Sequence, residues 1–273
     1  MQTKYWMHSR TNKKRFTLRI GVLCLVCLVL YTTSKLWVDQ VTHRAGRPEI
    51  IQEQPLPVDT NDWPQWHGPN RDNLCMETGL LKAWPDKGPR VIWQCDALGE
   101  GWSSPTLARA HIYVTGTEKR KEFLSCLDST GRTKWTVFYG SACRRYPGTR
   151  STPTFDNTAV YVISGTGEVV CIDTQKEMIK WKLDGSTVFQ GQHHHFGVSE
   201  SPLVFDDKVF FTPGGNQTTM VALNKQTGQT IWQSPSLKEQ TGYVSPMVIP
   251  WWHMMSKRDE VDLTLETPGP LVI

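Results

Sequence analysis

Short apolar stretches alternate with polar turns along most of the chain, and the pattern repeats from about residue 104 onward. Each cycle opens with a Ser/Thr-Pro pair, followed by strands rich in β-branched and aromatic residues. Such a repeat indicates one structural unit that is used several times. The prolines of successive pairs lie 48, 49 and 44 residues apart, at Pro105, Pro153, Pro202 and Pro246.

Within each of the first three cycles, two predicted strands come before a strand that ends in tryptophan. The earlier strands are predicted at 111–117 and 123–128, at 159–165 and 168–173, and at 208–214 and 219–224. The tryptophan follows the marker proline by 30, 28 and 30 residues, at Trp135, Trp181 and Trp232.

The turn before each tryptophan strand contains glycine in two of the three cycles. Gly131 and Gly228 suit a tight turn because glycine adopts positive φ without a steric penalty. The middle cycle has Lys176 and Glu177 there, so we predict a different turn.

These features predict an all-β protein, a β-propeller of four-stranded antiparallel blades. About three blades are complete, at about 102–140, 150–185 and 199–235, within a propeller region at 63–250. Partial strands flank them, around Trp93 and at 242–250. We expect a tryptophan to lie flat between neighbouring blades at each of four positions: Trp93, Trp135, Trp181 and Trp232.

The N-terminus has the layout of an export signal. Residues 1–19 contain six Lys/Arg and no acidic residue, and the uncharged stretch at 20–31 follows. We predict a basic arm and a signal-anchor or transmembrane helix over 1–38, with a cleaved signal as the alternative. A polar linker at 39–62 then separates the membrane from a propeller on the periplasmic, extracytoplasmic side.

Charge and cysteine content narrow the function further. Outside the basic arm, 24 basic residues are balanced by 26 acidic residues, so the body has no electrostatic signature of nucleic-acid binding. Cys126 and Cys171 occupy the same place in the repeat and are predicted to be small buried residues. The sequence does not decide whether Cys75 and Cys95 form a disulfide.

The segments CLDSTGRTKW, CIDTQKEMIKW and ALNKQTGQTIW resemble the tryptophan-docking motif of pyrroloquinoline-quinone (PQQ)-type propeller repeats. The opening DWPQWHGPNRDN and the later SESPLVFDDKVFFTPGG are similar to an exported bacterial group of such propellers, which is related to outer-membrane assembly scaffold propellers. The resemblance covers about 63–249 and implies the fold. The same fold serves dehydrogenases and scaffolds, so the resemblance does not by itself imply an activity.

Propellers of this type usually close with seven or eight blades, and the tail at 251–273 loses the repeat pattern. The sequence therefore predicts a truncated propeller. In the alternative, the stretches at 259–266 and 270–273 build a fourth, degenerate blade that the Trp93 strand closes.

Ligands of propellers usually meet the loops at the axial mouth, and two long connections here carry candidate side chains. Arginine side chains suit an anionic ligand, and the run of three histidines suits a metal ligand or a base. Solvated loop residues are the plainer interpretation. The axial-loop candidates are Trp102, Arg144, Arg145, Tyr146, Arg150, His193, His194, His195 and Glu200.

Known catalytic motifs are missing from the sequence, including the nucleophile elbow and the phosphate-binding loop. The resemblance implies that a PQQ dehydrogenase needs calcium, a catalytic Asp and usually an adjacent-Cys disulfide, and none of these is recognisable. We therefore predict a non-catalytic binding or scaffold module for proteins or envelope components, with no cofactor. The alternatives are a fragment of a PQQ-dependent oxidoreductase, which would use PQQ with calcium, and a nonfunctional product.

Overall fold

The computed structural model describes residues 49–50, 62–249 and 271–272, with side chains over 62–249. The chain separates into Met1–Gly46 and Arg47–Ile273, and every described residue belongs to the second part. The predicted N-terminal helix, most of the linker and most of the C-terminal tail lie outside the described residues. Across the part that is described, no helix has the length and apolar character needed to cross a membrane.

The described residues form short strands joined by turns, together with one helical turn. In chain order these are β1 (Glu49–Ile50), β2 (Trp93–Gln94), β3 (Thr106–Ala108), β4 (His111–Glu118), β5 (Lys121–Leu127), β6 (Thr133–Ser141), β7 (Thr154–Asp156), β8 (Ala159–Ile163), β9 (Glu168–Asp173), β10 (Met178–Asp184), α1 (Gly185–Val188), β11 (Leu203–Phe205), β12 (Lys208–Phe211), β13 (Val221–Asn224), β14 (Thr230–Gln233), β15 (Val248–Ile249) and β16 (Leu271–Val272).

Three antiparallel four-stranded sheets make up the body, and in each one the strands pair in chain order. Blade A contains β3–β6, blade B contains β7–β10 and blade C contains β11–β14. The predicted all-β class and its three four-stranded units are therefore confirmed. Two further ladders, β1–β2 and β15–β16, have two strands each. Among the described residues the Trp93 strand pairs with β1 and not with β15 or β16.

On the face of each blade that is turned toward the next, three side chains from neighbouring strands lie side by side. This set is here called the cross-strand triplet. Tyr113, Cys126 and Trp135 lie opposite one another in blade A, with the Tyr and Trp ring centres 6.0 Å apart. Blade B repeats this arrangement with Tyr161, Cys171 and Trp181, again at 6.0 Å. Blade C has Phe210, Ala222 and Trp232.

The middle residue of the triplet is small, which lets the two large rings approach each other across the strand between them. Cys126 and Cys171 are buried, as predicted, and burial raises the pKa of both thiols to about 11. A thiol with a raised pKa is poorly reactive, so these cysteines serve packing. All five cysteines between residues 62 and 249 are free, including Cys75 and Cys95.

Tryptophan rings join one blade to the turn of the next. The indole N–H of Trp93 donates to Ser129 O at 3.0 Å, and that of Trp181 donates to Lys225 O at 2.9 Å. The rings lie against Gly131 and Gly228, where an added Cβ would come within 2.5 Å and 2.7 Å of ring atoms. Glycine is required there both by this contact and by the positive φ of 79° and 72°.

The turn before Trp181 differs less from the turns before Trp135 and Trp232 than the sequence predicts. Glu177 takes the position of the glycine and adopts a φ of 56°, so the left-handed conformation is kept without glycine. The Asp173 carboxylate accepts from the N–H groups of Gln175 and Lys176 at 2.9 Å each and so holds the turn. Trp135, on the neighbouring blade, is buried with 9% of its surface exposed.

The expectation that every repeat tryptophan lies between blades is wrong for Trp232. It is 48% exposed, whereas Trp135 and Trp181 are each 9% exposed. The described residues bring no turn over its ring, because blade C is the last complete blade among them.

The Ser/Thr-Pro pairs form a hydrogen-bonded series between neighbouring blades. Ser104 N donates to Thr152 Oγ1 at 3.1 Å, Thr152 N donates to Ser201 Oγ at 2.9 Å, and Ser201 N donates to Ser245 Oγ at 2.9 Å. Each hydroxyl thus satisfies a backbone donor of the preceding blade. This explains the period of the markers, since each link needs one hydroxyl per blade.

Residues 62–73, here called the N-terminal strap, run along the first strands of all three blades. Trp63 exchanges two backbone hydrogen bonds with Leu107 of blade A, at 2.8 and 3.0 Å. The carbonyl of Pro64 accepts from Phe155 N of blade B at 2.7 Å.

At the far end of the strap, Arg71 reaches blade C. Its guanidinium donates to Ser201 O and Pro202 O at 3.1 Å each and to Gln65 Oε1 at 3.0 Å. Burial lowers the pKa of Arg71 to about 10, opposed by the nearby charge of Glu200, so the side chain stays protonated at neutral pH. The strap therefore joins blades A, B and C through backbone groups and one buried cation.

We expect Glu177→Gly to stabilise the protein by about 0.5–1 kcal/mol, because glycine removes the cost of positive φ at this turn. Gly228→Ala, at the equivalent turn, should destabilise it by about 2 kcal/mol or more, because the new Cβ meets the Trp181 ring. Chemical denaturation of the full chain measures both. A destabilising Glu177→Gly would show that the glutamate side chain supports the turn.

We expect Arg71→Lys to destabilise the protein by about 2 kcal/mol, because an ammonium group cannot reproduce the forked contacts of the guanidinium. Arg109→Lys is the matched control, since Arg109 makes an exposed hydrogen bond to Asn157 and its exchange should change stability by less than about 0.5 kcal/mol. Equal effects of the two variants in chemical denaturation would contradict this role of Arg71.

Candidate functional site

The connections between blades converge at one end of the sheets, here called the loop face. They occupy residues 95–105, 142–153, 189–202 and 234–247. Backbone contacts tie successive loops together, because Trp102 N donates to Thr149 O at 2.7 Å and Thr241 N donates to Gln192 O at 2.8 Å. The Cys143 thiol adds a third link, to His195 O at 3.4 Å. Loops held in this way form a defined surface on a rigid scaffold.

Five rings from three of these loops form a continuous series, here called the aromatic row: Tyr146, His194, His195, Phe196 and Tyr243. The ring centres of Tyr146 and Phe196 are 4.7 Å apart, and those of Phe196 and Tyr243 are 6.1 Å apart. His194 lies 5.7 Å from Tyr243. All five side chains are exposed, so the row presents aromatic surface to solvent.

The structure brings only some of the predicted candidates into this row. Tyr146, His194 and His195 lie in it, while His193 is half-buried and its Nδ1 contacts the carbonyl of His194 at 2.9 Å. Trp102 is 78% exposed on the same face and lies over Gly148, outside the row.

The three arginines of the first long loop have different roles. Arg145 and Arg144 are exposed, and the Arg145 guanidinium lies 5.7 Å from the centre of the Tyr146 ring. Arg150 donates to Tyr146 O at 3.2 Å and Gly148 O at 3.0 Å, so it shapes the loop. The positive charge available to a ligand next to the aromatic row is therefore that of Arg144 and Arg145.

Glu200 is corrected from a loop-face candidate to a buried structural residue. Its carboxylate accepts from Thr212 N at 3.0 Å and from the Thr212 hydroxyl, and its side chain is fully buried. Burial raises the pKa of Glu200 to about 7, opposed by the Thr212 hydrogen bonds and by Arg71. The repeat contains no signal for this burial, because the position before a marker Ser/Thr is serine in the first two cycles.

Sequence reasoning missed Phe196 and Tyr243, which complete the aromatic row. Phe196 directly follows the histidine run and Tyr243 lies in the connection at 234–247, and their approach to Tyr146 depends on how the loops fold. It also missed Glu122, a fully buried carboxyl between blades A and B that accepts from Gly165 N at 3.1 Å. Burial raises the pKa of Glu122 to about 7, opposed by the hydrogen bond from Gly165 N.

The donor atoms needed for a metal are not gathered anywhere in residues 62–249, where no three side chains of His, Cys, Asp or Glu lie together. The two buried carboxyls have separate partners, since Glu122 accepts from Gly165 N and Glu200 accepts from Thr212 N. The histidine run places its side chains in the aromatic row or against its own backbone. The described residues therefore do not offer a carboxylate cluster of the kind that calcium prefers.

A PQQ-type family model described as Outer membrane protein assembly factor BamB matches residues 120–255, which include all of blades B and C. These residues match the PQQ-like repeat family of β-propellers. This confirms the family predicted from the docking motifs. The blades, the repeat tryptophans and the loop face are thus those of a PQQ-like propeller.

Three solved structures are similar to this PQQ-like propeller. The quinohemoprotein alcohol dehydrogenase from Comamonas testosteroni matches 71% of this chain and 28% of its own, at 18% identity and a TM-score of 0.45. BamB from Moraxella catarrhalis matches 54% of this chain and 39% of its own, at 19% identity and a TM-score of 0.37. A europium-containing methanol dehydrogenase matches 47% and 23%, at 16% identity and a TM-score of 0.37.

The chain spans between 23% and 39% of the length of these solved structures. No curated protein matches it.

The stability of this PQQ-like propeller should fall as the pH rises from 5 to 8. The pKa values of Glu122 and Glu200 are raised from 4.5 to about 7 by burial, so both groups favour the folded state when protonated. Their contribution is complete below about pH 4.5 and is lost as the pH rises through about 7, by about 2 kcal/mol for each group. Three carboxyls with a lowered pKa change the stability only at more acidic pH: Asp128, Asp173 and Asp184.

Chemical denaturation of the full chain at pH 5 and pH 8 measures this difference. Glu122→Gln and Glu200→Gln should each remove about half of it, because a neutral amide has no charged form to desolvate. A wild-type protein that is more stable at pH 8 than at pH 5 would refute the assignment.

Proposed function

We propose that this PQQ-like propeller is a non-catalytic binding or scaffold module that is exported and tethered to a membrane. Its partner is a protein or another component of the cell envelope. The observation that carries this proposal is the aromatic row on the loop face, together with the exposed arginines beside it.

The chemistry of the loop face supports a protein partner. Aromatic residues and arginine are enriched in protein interfaces, and they often supply most of the binding energy. Here Tyr146, Phe196 and Tyr243 expose apolar ring surface, and Arg145 adds a positive charge directly over Tyr146. An isolated exposed aromatic residue is ordinary, but a connected series across three loops is a feature of a binding surface.

The rigidity of the loops also supports a binding role. The backbone bridges between Gly101 and Thr149 and between His193 and Thr241 fix each loop to its neighbour. A surface that is ordered before it binds loses little conformational entropy on association.

Export and membrane tethering are supported by the sequence alone. The basic arm and the uncharged stretch at 20–31 lie outside the described residues. The charge of the arm favours a cytoplasmic N-terminus, so the propeller would lie on the extracytoplasmic side. An aromatic loop face on that side would meet other envelope proteins.

Photo-cross-linking from position 196 tests the proposed contact surface directly. We expect a photoreactive amino acid in place of Phe196 to give a discrete protein adduct in the native cells, because Phe196 lies at the centre of the aromatic row. Phe138 is the matched control, since it is also an exposed phenylalanine and lies on β6, outside the aromatic row. Its photoreactive variant should give no adduct.

Once the adduct partner is identified, Tyr146→Ala and Arg145→Glu should weaken its binding at least about tenfold, as measured with the purified full chain. Phe138→Ala should change the affinity by less than about twofold. Adducts of equal yield at 138 and 196, or affinities that do not respond to the variants, would contradict the proposal.

The non-catalytic part of the proposal has a separate test. Titration of the full chain with PQQ and Ca²⁺, followed by absorbance, should show no saturable uptake, since residues 62–249 offer no cluster of carboxylate ligands. Saturable uptake at micromolar concentration, with a chromophore that substrate reduces, would establish an oxidoreductase instead.

A further inference from the structure

The connections that follow blades A, B and C carry the aromatic row, and their basic residues outnumber their acidic ones. The basic residues are Arg144, Arg145, Arg150 and Lys238, and the acidic ones are Glu200 and Glu239. Outside the N-terminal arm, the chain as a whole has slightly more acidic than basic residues. Positive charge is therefore concentrated in the part of the body that holds the row.

The two arginines beside the row have no counter-charge from the described residues. Within residues 62–249, no carboxylate forms an ion pair with Arg144 or Arg145, and both side chains are exposed. The Glu200 carboxylate is buried against Thr212, so it does not reach this surface. The two guanidinium groups are therefore available to a ligand.

The ring of Tyr146 helps to hold Arg145 in place. The guanidinium carbon of Arg145 lies 5.7 Å from the centre of this ring. A guanidinium on an aromatic face keeps the N–H groups at its rim for another partner, and a carboxylate can accept two of them side by side. The charged donor and the apolar ring are adjacent, so a ligand that covers one also meets the other.

Apolar surface continues from Tyr146 away from the arginines. The row passes through Phe196 to Tyr243, and Val244 beyond it is 76% exposed. A purely ionic ligand would leave these side chains in water. A purely apolar ligand would desolvate the arginines without a counter-charge, which is unfavourable. A ligand that suits the whole surface has both acidic and apolar groups.

We propose that the loop face recognises an acidic protein segment, whose carboxylates pair with Arg144 and Arg145 and whose apolar side chains cover the aromatic row. This inference rests on the proposed binding function and names the chemistry of the partner. A protein segment is the favoured occupant because a polypeptide places acidic and apolar side chains next to each other. A polyanion without apolar groups, such as a sulfated glycan, would match only the arginines.

A random library of peptides of about twelve residues, displayed on phage, tests this chemistry. The library is selected on the full chain in a nonionic detergent, with Phe196→Ala as the counter-selection. Peptides that bind the wild type but not the variant should carry a net negative charge and at least two apolar side chains. Selected peptides that are neutral or basic, or the lack of any peptide that distinguishes the two proteins, would overturn the proposal.

An arginine variant measures the contribution of charge to binding of the most enriched peptide. In fluorescence anisotropy, Arg145→Gln should raise the dissociation constant at least about fivefold, and added salt should weaken binding to the wild type. Arg132→Gln is the matched control, since Arg132 is an exposed arginine in the turn before β6. It should change the constant by less than about twofold, and circular dichroism checks that both variants fold. Equal constants for the two variants would contradict the pairing.

A charge swap and a competitor separate specific pairing from general attraction of anions. Arg145→Glu should bind a peptide with lysine in place of its acidic residues more tightly than it binds the original peptide. Heparin, a polyanion without apolar side chains, should displace the original peptide only at a concentration at least about tenfold above that of unlabelled peptide. A swap without gain, or displacement by heparin at the same concentration as by peptide, would overturn the proposal.

The cross-linking experiment at position 196 separates this inference from the proposed function. An adduct on an acidic segment of the partner would support both. An adduct on a segment without acidic residues would refute the acidic partner, while the binding role of the loop face would stand. The absence of any adduct would count against both.

Discussion

The interaction on which the described fold depends is a tryptophan ring laid on the turn of the next blade. It buries a large apolar side chain and satisfies the indole N–H with a backbone carbonyl, as at Trp181 and Lys225. The interaction also sets local requirements on the sequence. The turn needs a residue that tolerates positive φ, and the strand before the tryptophan needs a small residue, Cys126, Cys171 or Ala222, so that two rings can meet across it.

A second set of contacts, which are polar, holds the blades together at their first strands. The Ser/Thr hydroxyls of the marker pairs satisfy backbone donors of the preceding blade, and Arg71 of the strap satisfies two carbonyls of blade C. Buried polar groups stabilise the fold only where their hydrogen-bond partners are in place. These hydrogen bonds therefore specify the register of neighbouring blades. Glu122, which accepts from Gly165 N of blade B, and Glu200, beside Thr212 of blade C, are also buried, and burial makes their ionisation unfavourable.

This rigid framework accounts for the organisation of the loop face. Since the blades are fixed to one another, loops that are distant in sequence hold Tyr146, Phe196 and Tyr243 in one row. One fold can carry different activities, so the function has to be argued from this surface. A surface of connected rings beside Arg145 suits recognition of another macromolecule.

The repeat could be recognised in the sequence because its signals are local. The marker prolines, the strand alternation and the spacing from Asp or Asn to tryptophan determine the all-β class and the three four-stranded units. The same local reasoning predicted the positive φ of Gly131 and Gly228, because a tight turn before a strand constrains the backbone over a few residues. Membership of the loop face was also predictable for Tyr146 and His195, since both lie in long connections.

Only the tertiary structure decided which of these side chains meet and which are buried. Glu200 and Arg71 look like surface residues in the sequence, yet both are buried because the strap and blade C close over them. Phe196 and Tyr243 join Tyr146 through the folding of three loops, and Glu177 adopts the conformation of a glycine because the surrounding turn requires it. Burial and contact depend on residues far apart in the chain, and a repeat pattern does not contain that information.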